Sequence, residues 1–316
     1  MRILVTGAAG FVGGHLIRHL RHIHPESELH GTALSATEAV DGVILHALDL
    51  RNPQAVAALI AAVRPDQVYH LAAWAQVRQS FHYAWETIEN NVRVQLNVIL
   101  GILAAKIAPR MLIVTSGEIY GGDQSREYPT REDAPLRPAN PYSVSKVTQD
   151  MMGLQYFLSH ELPILRARPF NHLGPGQAPG FVAPDFALQI ARIEQGLQPP
   201  VMKVGSLTAE RDFTDVRDIV RAYRLIMVRG TPGEAYNVAS GTTHRIGEVL
   251  DMLLRGSAAA IRVESRSALL EGENVPRSWG DASKLHKETG WEPVIPLETT
   301  LQDVLEDCRA RVGAQS

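Results

Sequence analysis

The chain has 316 residues, 45% of them hydrophobic and 21% charged. Those proportions are ordinary for a soluble globular protein and exclude a disordered, collagen-like or fibrous chain. Lys plus Arg number 31 against 34 Asp plus Glu, a formal net charge of -3. No basic excess exists to neutralise a phosphate backbone, which argues against nucleic acid as the main partner. The length suggests about two domains, or one large α/β unit with an appendage. A single cysteine, Cys308, rules out an internal disulfide and a multi-cysteine zinc site. Met1 to Gly14 does not read as a signal peptide, because four glycines break its apolar run and no basic segment precedes it. No uncharged run approaches the roughly 20 residues that span a bilayer. The expectation is a cytoplasmic protein with no membrane partner.

The first 170 residues alternate strand and helix. Arg2 to Thr6 is a short apolar run ending at glycine and predicts a buried strand. Leu16, Ile17 and Leu20 give a helix face over Gly14 to Arg21. Leu29 to Thr32 and Val43 to His46 are short strand candidates. Asn52 and Pro53 form an N-cap with proline at the first helical position, opening the alanine-rich helix Ala55 to Val63. A strand at Gln67 to Leu71, a long helix at Glu86 to Ala105 and a strand at Met111 to Thr115 follow. Asn140 and Pro141 repeat the cap signal for a helix to about Ser159, and Ile164 to Arg168 is another strand. Strands separated by helices require crossovers, hence a doubly wound parallel sheet covered on both faces.

After Pro169 the rhythm loosens. Pro and Gly cluster at 169–180 and 272–280, with helix candidates at Asp215 to Arg229, Ile246 to Leu254 and Leu297 to Arg311. This predicts a dinucleotide-binding domain over 1–168 and a smaller C-terminal α/β lobe over 169–316, mainly for substrate. Within the latter, Ala235 to Val238 is a strand that can return to the main sheet.

Gly7, Gly10 and Gly13 stand between the first strand and the first helix. Glycine there allows a tight turn and close approach of backbone amides to a pyrophosphate, and the helix start adds free N–H groups and positive dipole. Asp49, after the third strand, is positioned to accept from an adenine amino group. The end of the second strand, His30 to Ser35, carries neither an acid for a ribose 2′-hydroxyl nor an arginine for a 2′-phosphate, so NADP and NAD both stay open.

Tyr142 and Lys146 lie four residues apart on one helix face. A free phenol titrates near 10, and a lysine ammonium together with an oxidised nicotinamide would lower that value toward neutral pH. Ser116 ends the strand Met111 to Thr115, at the sheet edge where ligands bind in open α/β folds. Its hydroxyl can reach the same substrate oxygen to which Tyr142 moves a proton. His15 and His19 have i, i+4 spacing but no convincing third ligand, so no metal is expected. The four tryptophans read as packing anchors, with Trp74 a candidate border of a sugar pocket.

These features carry a resemblance. Val5-Thr-Gly-Ala-Ala-Gly-Phe-Val-Gly13, His70-Leu-Ala-Ala73, Thr115-Ser-Gly-Glu-Ile-Tyr-Gly121, Pro141-Tyr-Ser-Val-Ser-Lys146 and Arg168-Pro-Phe-Asn171 resemble the extended short-chain dehydrogenase/reductases that act on nucleotide sugars. Phe181-Val182, Lys203-Val-Gly205 and Arg211 to Asp218 look most like the GDP-4-keto-6-deoxy-mannose reductases, which form GDP-rhamnose. The resemblance implies catalytic roles for Ser116, Tyr142 and Lys146, with Glu118 beside them. It implies an NADP or NAD site along Gly7, Gly10, Phe11, Val12, Gly13, Thr32, Asp49, Leu50, Leu71, Ala72 and Ala73, reaching Tyr142 and Lys146. It implies a nucleotide-sugar site using Gln76, Asn171, Lys203 and Arg211, and a homodimer pairing helices 86–105 and 142–159.

The chain also departs from that pattern. Glu271-Gly-Glu-Asn274 precedes Val275-Pro276 where many relatives carry Arg-Pro-x-Glu, which leaves the base open, with Arg266 and Arg277 as substitutes. Ala75 replaces a family serine, and Val94-Gln95 a family Gly-Thr. Related 4,6-dehydratases place two polar groups after the catalytic hydroxyl, where this chain has Gly117 and Glu118. A reductase is therefore expected, with a 4-epimerase and then a GDP-mannose 4,6-dehydratase as alternatives. The intact Ser116, Tyr142 and Lys146 argue against a non-catalytic sensor.

Overall fold

The structure is a computed structural model that describes residues 1–35, 42–122, 127–265 and 275–314. Its first part runs β1 (Arg2–Thr6), α1 (Phe11–Ile23), β2 (Glu28–Ala33), β3 (Ile44–Ala47), α2 (Pro53–Val63), β4 (Gln67–His70), α3 (Val77–His82) and α4 (Ala84–Ala104). Then come β5 (Arg110–Val114), a 3-10 turn (Gly117–Tyr120), α5 (Pro141–His160) and β6 (Ile164–Pro169). The remainder holds β7 (Asn171–Leu173), α6 (Val182–Glu194), β8 (Val201–Val204), β9 (Glu210–Asp215), α7 (Val216–Arg229) and β10 (Ala235–Val238). It closes with β11 (Thr243–Arg245), α8 (Ile246–Arg255), β12 (Arg262–Ser265), β13 (Arg277–Ser278), α9 (Ser283–Thr289) and α10 (Leu297–Gly313).

Seven parallel strands form the main sheet in the order β10-β6-β5-β4-β1-β2-β3. The order reverses beside β1, so the strand ends of β1 and β4 flank the crevice where such sheets bind ligands. Strand side chains alternate. Ile3 and Val5 pack with Leu16, Ile17 and Leu20 of α1 and with Ile219, Tyr223 and Met227 of α7. Leu4, Val68 and Ile113 face Val56 and Ile60 of α2 and Val98 and Ile102 of α4. Both faces of the sheet are thus apolar, as a two-sided parallel sheet requires.

Both sequence caps form. The Asn52 side chain accepts from the amides of Gln54 and Ala55, each at 3.1 Å, and Asn140 makes a reciprocal capping box with Ser143. Caps of this kind are worth about 1 kcal/mol each. The second cap fixes the first turn of α5, which carries Tyr142.

Residues beyond Pro169 divide between two cores. β10 pairs with β6 in register Ala235↔Arg166, and α7 covers the main sheet. Elsewhere α6, α8 and α10 enclose a separate core around Phe186, Ile190, Leu250, Leu253, Leu301 and Leu305. Against it lie two small sheets, one built of β7, β9, β11 and β13 and one of β8 and β12.

Some expectations change. The first helix starts at Phe11 rather than Gly14, because the glycines form its first turn instead of a loop before it. The helices α3, α6 and α9 have no counterpart among the predicted elements. Pro184 of α6 resembles a breaker, yet it sits in the first turn, where a missing N–H costs nothing. Among the described residues no helix is long and apolar enough to cross a membrane.

Candidate active site

The turn after β1 is built to hold an anion. Gly7 has φ +69°, and a Cβ on it would stand 3.1 Å from Ala72 Cα. A Cβ on Gly13 would stand 2.2 Å from the Gly7 carbonyl oxygen and 2.7 Å from that of Ala8. Only glycine allows the helix to begin this close to the strand. Gly10, the N-cap of α1, supplies no side-chain cap, so amides of the first turn stay available for a ligand. The turn is braced by the Gly7 amide donating to the Thr32 hydroxyl at 3.3 Å.

Two cavities meet at this turn and share Gly7, Gly10 and Ala73. The smaller, about 300 Å³, is lined by Thr32, Ala33, Asp49 and Leu50 on the β2–β3 side and by Ala72 after β4. These residues fit an adenosine moiety, with apolar walls for a flat base. Asp49 lies where expected, but Arg51 occupies its carboxylate through contacts of 2.7 to 3.0 Å, and this pairing holds the carboxyl below its ordinary range. Trp74 borders this cavity rather than the sugar side.

The larger cavity, about 570 Å³, runs from Phe11, Val12, Gly13 and Leu71 to the ends of β5 and β6. Its apolar walls, with Val114, Pro169 and Phe170, suit a nicotinamide ring. Ser116, Glu118, Tyr142 and Lys146 all face it, as do Gln76 and Asn171. The predicted catalytic groups therefore share one space. Ser116 caps the 3-10 turn by accepting from the Glu118 amide at 3.1 Å. Its hydroxyl faces the same space as the Tyr142 phenol, which it acts to lower. Lys146 Nζ lies 5.8 Å from the centre of the Tyr142 ring.

The electrostatics differ from expectation at one point. The sequence predicts a phenol lowered by the lysine together with an oxidised nicotinamide. Instead, burial pushes Tyr142 up, the Ser116 hydrogen bond opposes this, and the Glu118 charge adds to it. Lys146 donates to the Val114 carbonyl at 3.0 Å, and its own burial lowers it to about 7. The chain alone thus keeps Tyr142 protonated, poised to give a proton rather than to take one.

Behind the reaction centre, Asp150 accepts from Arg166 at 2.6 Å and from Arg168 at 2.8 Å, all three being buried. Arg168 also donates to the Tyr120 hydroxyl at 2.8 Å, and Thr115 donates to Asp150 at 3.3 Å. This network ties both ends of the Ser116–Tyr120 turn to α5 and β6. Sequence reasoning misses it, since no motif marks a buried ion pair.

Two predicted substrate residues are not brought to the cavity. Lys203 is exposed on β8, where its amide meets Gln189, and Arg211 on β9 donates to the Glu210 carbonyl at 2.9 Å. Of the two suggested substitutes, Arg277 is held by Glu210 at 2.6 Å, while Arg266 lies outside the described residues. The wall also includes residues the sequence does not suggest. His172 stacks on Phe11 with ring centres 6.4 Å apart, and Arg78, Gln177 and Phe181 also line the cavity.

A doubly wound sheet with a glycine cradle, and a serine, tyrosine and lysine converging beyond it, defines an extended short-chain dehydrogenase/reductase. The chain belongs to the family described as GDP-mannose 4,6 dehydratase, which matches residues 4–304. It is 33% identical over 311 residues to GDP-6-deoxy-D-mannose reductase of Pseudomonas aeruginosa, covering 98% of both chains. A solved structure of RMD from Pseudomonas aeruginosa complexed with NADPH superposes with a TM-score of 0.88 at 33% identity, covering 98% of this chain and 99% of that one. UDP-glucose 4-epimerase of Thermus thermophilus in complex with NAD gives a TM-score of 0.87 at 26% identity, covering 98% of this chain and 99% of that one.

Proposed function

We propose that the protein is an NAD(P)H-dependent reductase of a nucleotide-linked 4-keto-6-deoxyhexose, converting GDP-4-keto-6-deoxy-D-mannose to GDP-D-rhamnose. The observation that carries this reading is the Ser116–Tyr142 hydroxyl pair on a cavity that joins the glycine turn. The likeness to the Pseudomonas reductase supports the substrate.

When bound, the reduced cofactor supplies a hydride to C4 of the sugar. The chain's residues handle the oxygen. Tyr142 gives its proton to the C4 oxygen as the carbonyl becomes a carbinol, and Ser116 holds that oxygen by a hydrogen bond. Lys146, buried beside the ring, holds the cofactor's ribose and favours the phenolate left behind. Amides of the α1 start take the pyrophosphate.

A dehydratase must also strip a carbon-bound proton and expel the 6-hydroxyl. Gly117 offers no group for this, and the Phe170 ring lies 3.0 Å from where its Cβ would stand, so the space is filled. The second reading is a nucleotide-sugar 4-epimerase, supported by the Thermus likeness. We assign residues 1–168 mainly to the cofactor and 169–316 mainly to the substrate. We further propose a cytoplasmic homodimer paired through α4 and α5.

The test is turnover of GDP-4-keto-6-deoxymannose with NADPH and with NADH, followed by the cofactor's near-ultraviolet absorbance. Stoichiometric oxidation is expected. An epimerase would change the sugar without net oxidation, and a sensor would bind cofactor and do neither. Tyr142→Phe should retain cofactor affinity and lose roughly 10²–10⁴ in rate. Near-normal turnover in that variant removes Tyr142 from its role.

A further inference from the structure

Of the histidines spaced along α1, His15 makes a contact that spans the molecule. It lies one helical turn beyond Phe11, and its Nε2 stands 2.8 Å from the Pro175 carbonyl oxygen, 160 positions away in the chain. A carbonyl oxygen only accepts, so Nε2 carries the hydrogen and donates it. Burial holds His15 below the ordinary histidine value. Near neutral pH the ring is therefore uncharged, and the N–H given to Pro175 is the single one it has.

Residues 174–177 form the loop after β7, and side chains from both cores hold it. His15 belongs to α1, which packs in the main-sheet core. From the second core, Asp307 of α10 accepts from the Gly176 amide at 3.0 Å. Arg311, one turn further along α10, donates to the Gln177 carbonyl at 3.3 Å and pairs with Asp307 at 2.8 Å. Three consecutive residues are thus gripped, Pro175 by α1, and Gly176 and Gln177 by α10. The inner side of the loop is close-packed, since a Cβ on Gly174 would stand 2.5 Å from Val216 Cγ1 at the start of α7. One wall of the larger cavity hangs on this loop. Asn171 and His172 stand before it, Gln177 within it and Ala178 after it, and all four line the cavity. Phe11 lines it too, with its ring edge-on to His15 at 5.5 Å and parallel to His172 at 6.4 Å.

We propose that His15 is a positioning residue that fixes the 174–177 loop to α1, so that the helix receiving the cofactor also sets the wall that faces the sugar. What that wall holds rests on the nucleotide-sugar reading above. Phe11 and His15, four residues apart, are neighbours on one face of α1. The first turn of the helix offers amides to a pyrophosphate, and one turn later His15 grips the loop. Any shift of the helix start on cofactor binding therefore reaches the loop through this hydrogen bond. Without it, α10 alone holds Gly176 and Gln177, and the wall follows the second core rather than the cofactor. Hydride transfer demands close placement of donor and acceptor, so a wall displaced by about 1 Å costs rate even where binding persists.

Amide hydrogen exchange, NADPH titration and turnover test this together in the unmodified protein, in His15→Leu, which removes the donor, and in His15→Gln, which keeps one. NADPH should slow exchange at the Gly176 and Gln177 amides of the unmodified protein and of His15→Gln. In His15→Leu that protection should fall by about fivefold, while NADPH binds with near-parent affinity. Turnover of GDP-4-keto-6-deoxymannose should show a kcat/KM lower by about fivefold to tenfold in His15→Leu, and His15→Gln should recover most of it. Exchange at Gly176 and Gln177 that NADPH leaves unchanged in the unmodified protein overturns the proposal. So does a loss in His15→Leu that lies wholly in NADPH affinity, which would place His15 in the cofactor's own site. Leu and Gln variants that behave alike overturn it too, because the donated hydrogen would then not matter. If the NADPH-dependent protection is present and is lost in His15→Leu, yet the unmodified protein reduces no 4-keto sugar nucleotide, the coupling stands and the proposed function falls.

Discussion

Lys146 illustrates what a reaction centre asks of a single side chain. Its ammonium is buried, and burial alone lowers it from an ordinary lysine value to about 7. The consequence for stability has a definite sign. Between pH 7 and the free-lysine value near 10.4, the unfolded chain holds a proton that the native chain releases, so stability rises with pH across that window. The unfolding free energy from urea titration should therefore rise by about 2 kcal/mol between pH 7 and 9. Lys146→Met fills a similar volume without a charge. It should remove this slope, be the more stable protein at pH 7, and be inactive. A Lys146→Met profile parallel to that of the unmodified protein would mean that Lys146 keeps its proton in the folded state. The neighbouring phenol makes the complementary point. Sequence spacing places Tyr142 and Lys146 together but suggests a lowered phenol, because burial, which pushes Tyr142 up, is not visible in spacing.

At the scale of elements, the junction of β1 and α1 depends on Gly13. A methyl group there would meet two backbone carbonyl oxygens, at 2.2 and 2.7 Å, which cannot swing aside as a side chain can. Gly13→Ala should push α1 away from β1 and misdirect the amides of its first turn. Fluorescence titration with NADPH should register a loss of about tenfold or more, while guanosine or GDP binding at the far end persists. Unchanged NADPH affinity would show that the turn does not hold the pyrophosphate. This junction is legible in the sequence because its determinants are contiguous. The same holds for the caps Asn52 and Asn140, each read from a residue and the proline after it. The substrate half is less legible for a physical reason. Its strands are two to six residues long and pair over long separations, as Arg277 does with Glu210 and Asn171 with Phe213. Periodicity cannot report such pairing. Nor can it report that Lys203 and Arg211, suggested by a motif, stand away from the cavity that Arg78 borders.

For the whole molecule, one exposed face stands out against a surface otherwise well supplied with charge. On α5, Val144, Met151 and Leu158 recur at intervals of seven, which aligns them along one side of the helix, and they are 38%, 38% and 70% exposed. On the adjoining α4, Val92, Leu96 and Leu100 recur at intervals of four, with Leu100 45% exposed. The opposite side of α5 carries Tyr142, Lys146 and Asp150, all buried. The helix therefore presents catalytic groups to the sheet and an apolar stripe outward. A second copy placed about a two-fold axis would bury both stripes in a bundle of four helices, the arrangement proposed above for α4 and α5. A stable interface of this kind buries roughly 1,200–2,000 Å² in total, which two helices from each copy can supply. Sedimentation at micromolar concentration should therefore give twice the mass of the chain. Met151→Glu would set two carboxylates near the axis, where like charges repel. That variant should sediment as a monomer while still binding NADPH, because the substitution lies on the outward side of α5. An unmodified protein that sediments as a monomer at this concentration would refute the pairing. A Met151→Glu variant that remains dimeric would move the interface elsewhere on the surface.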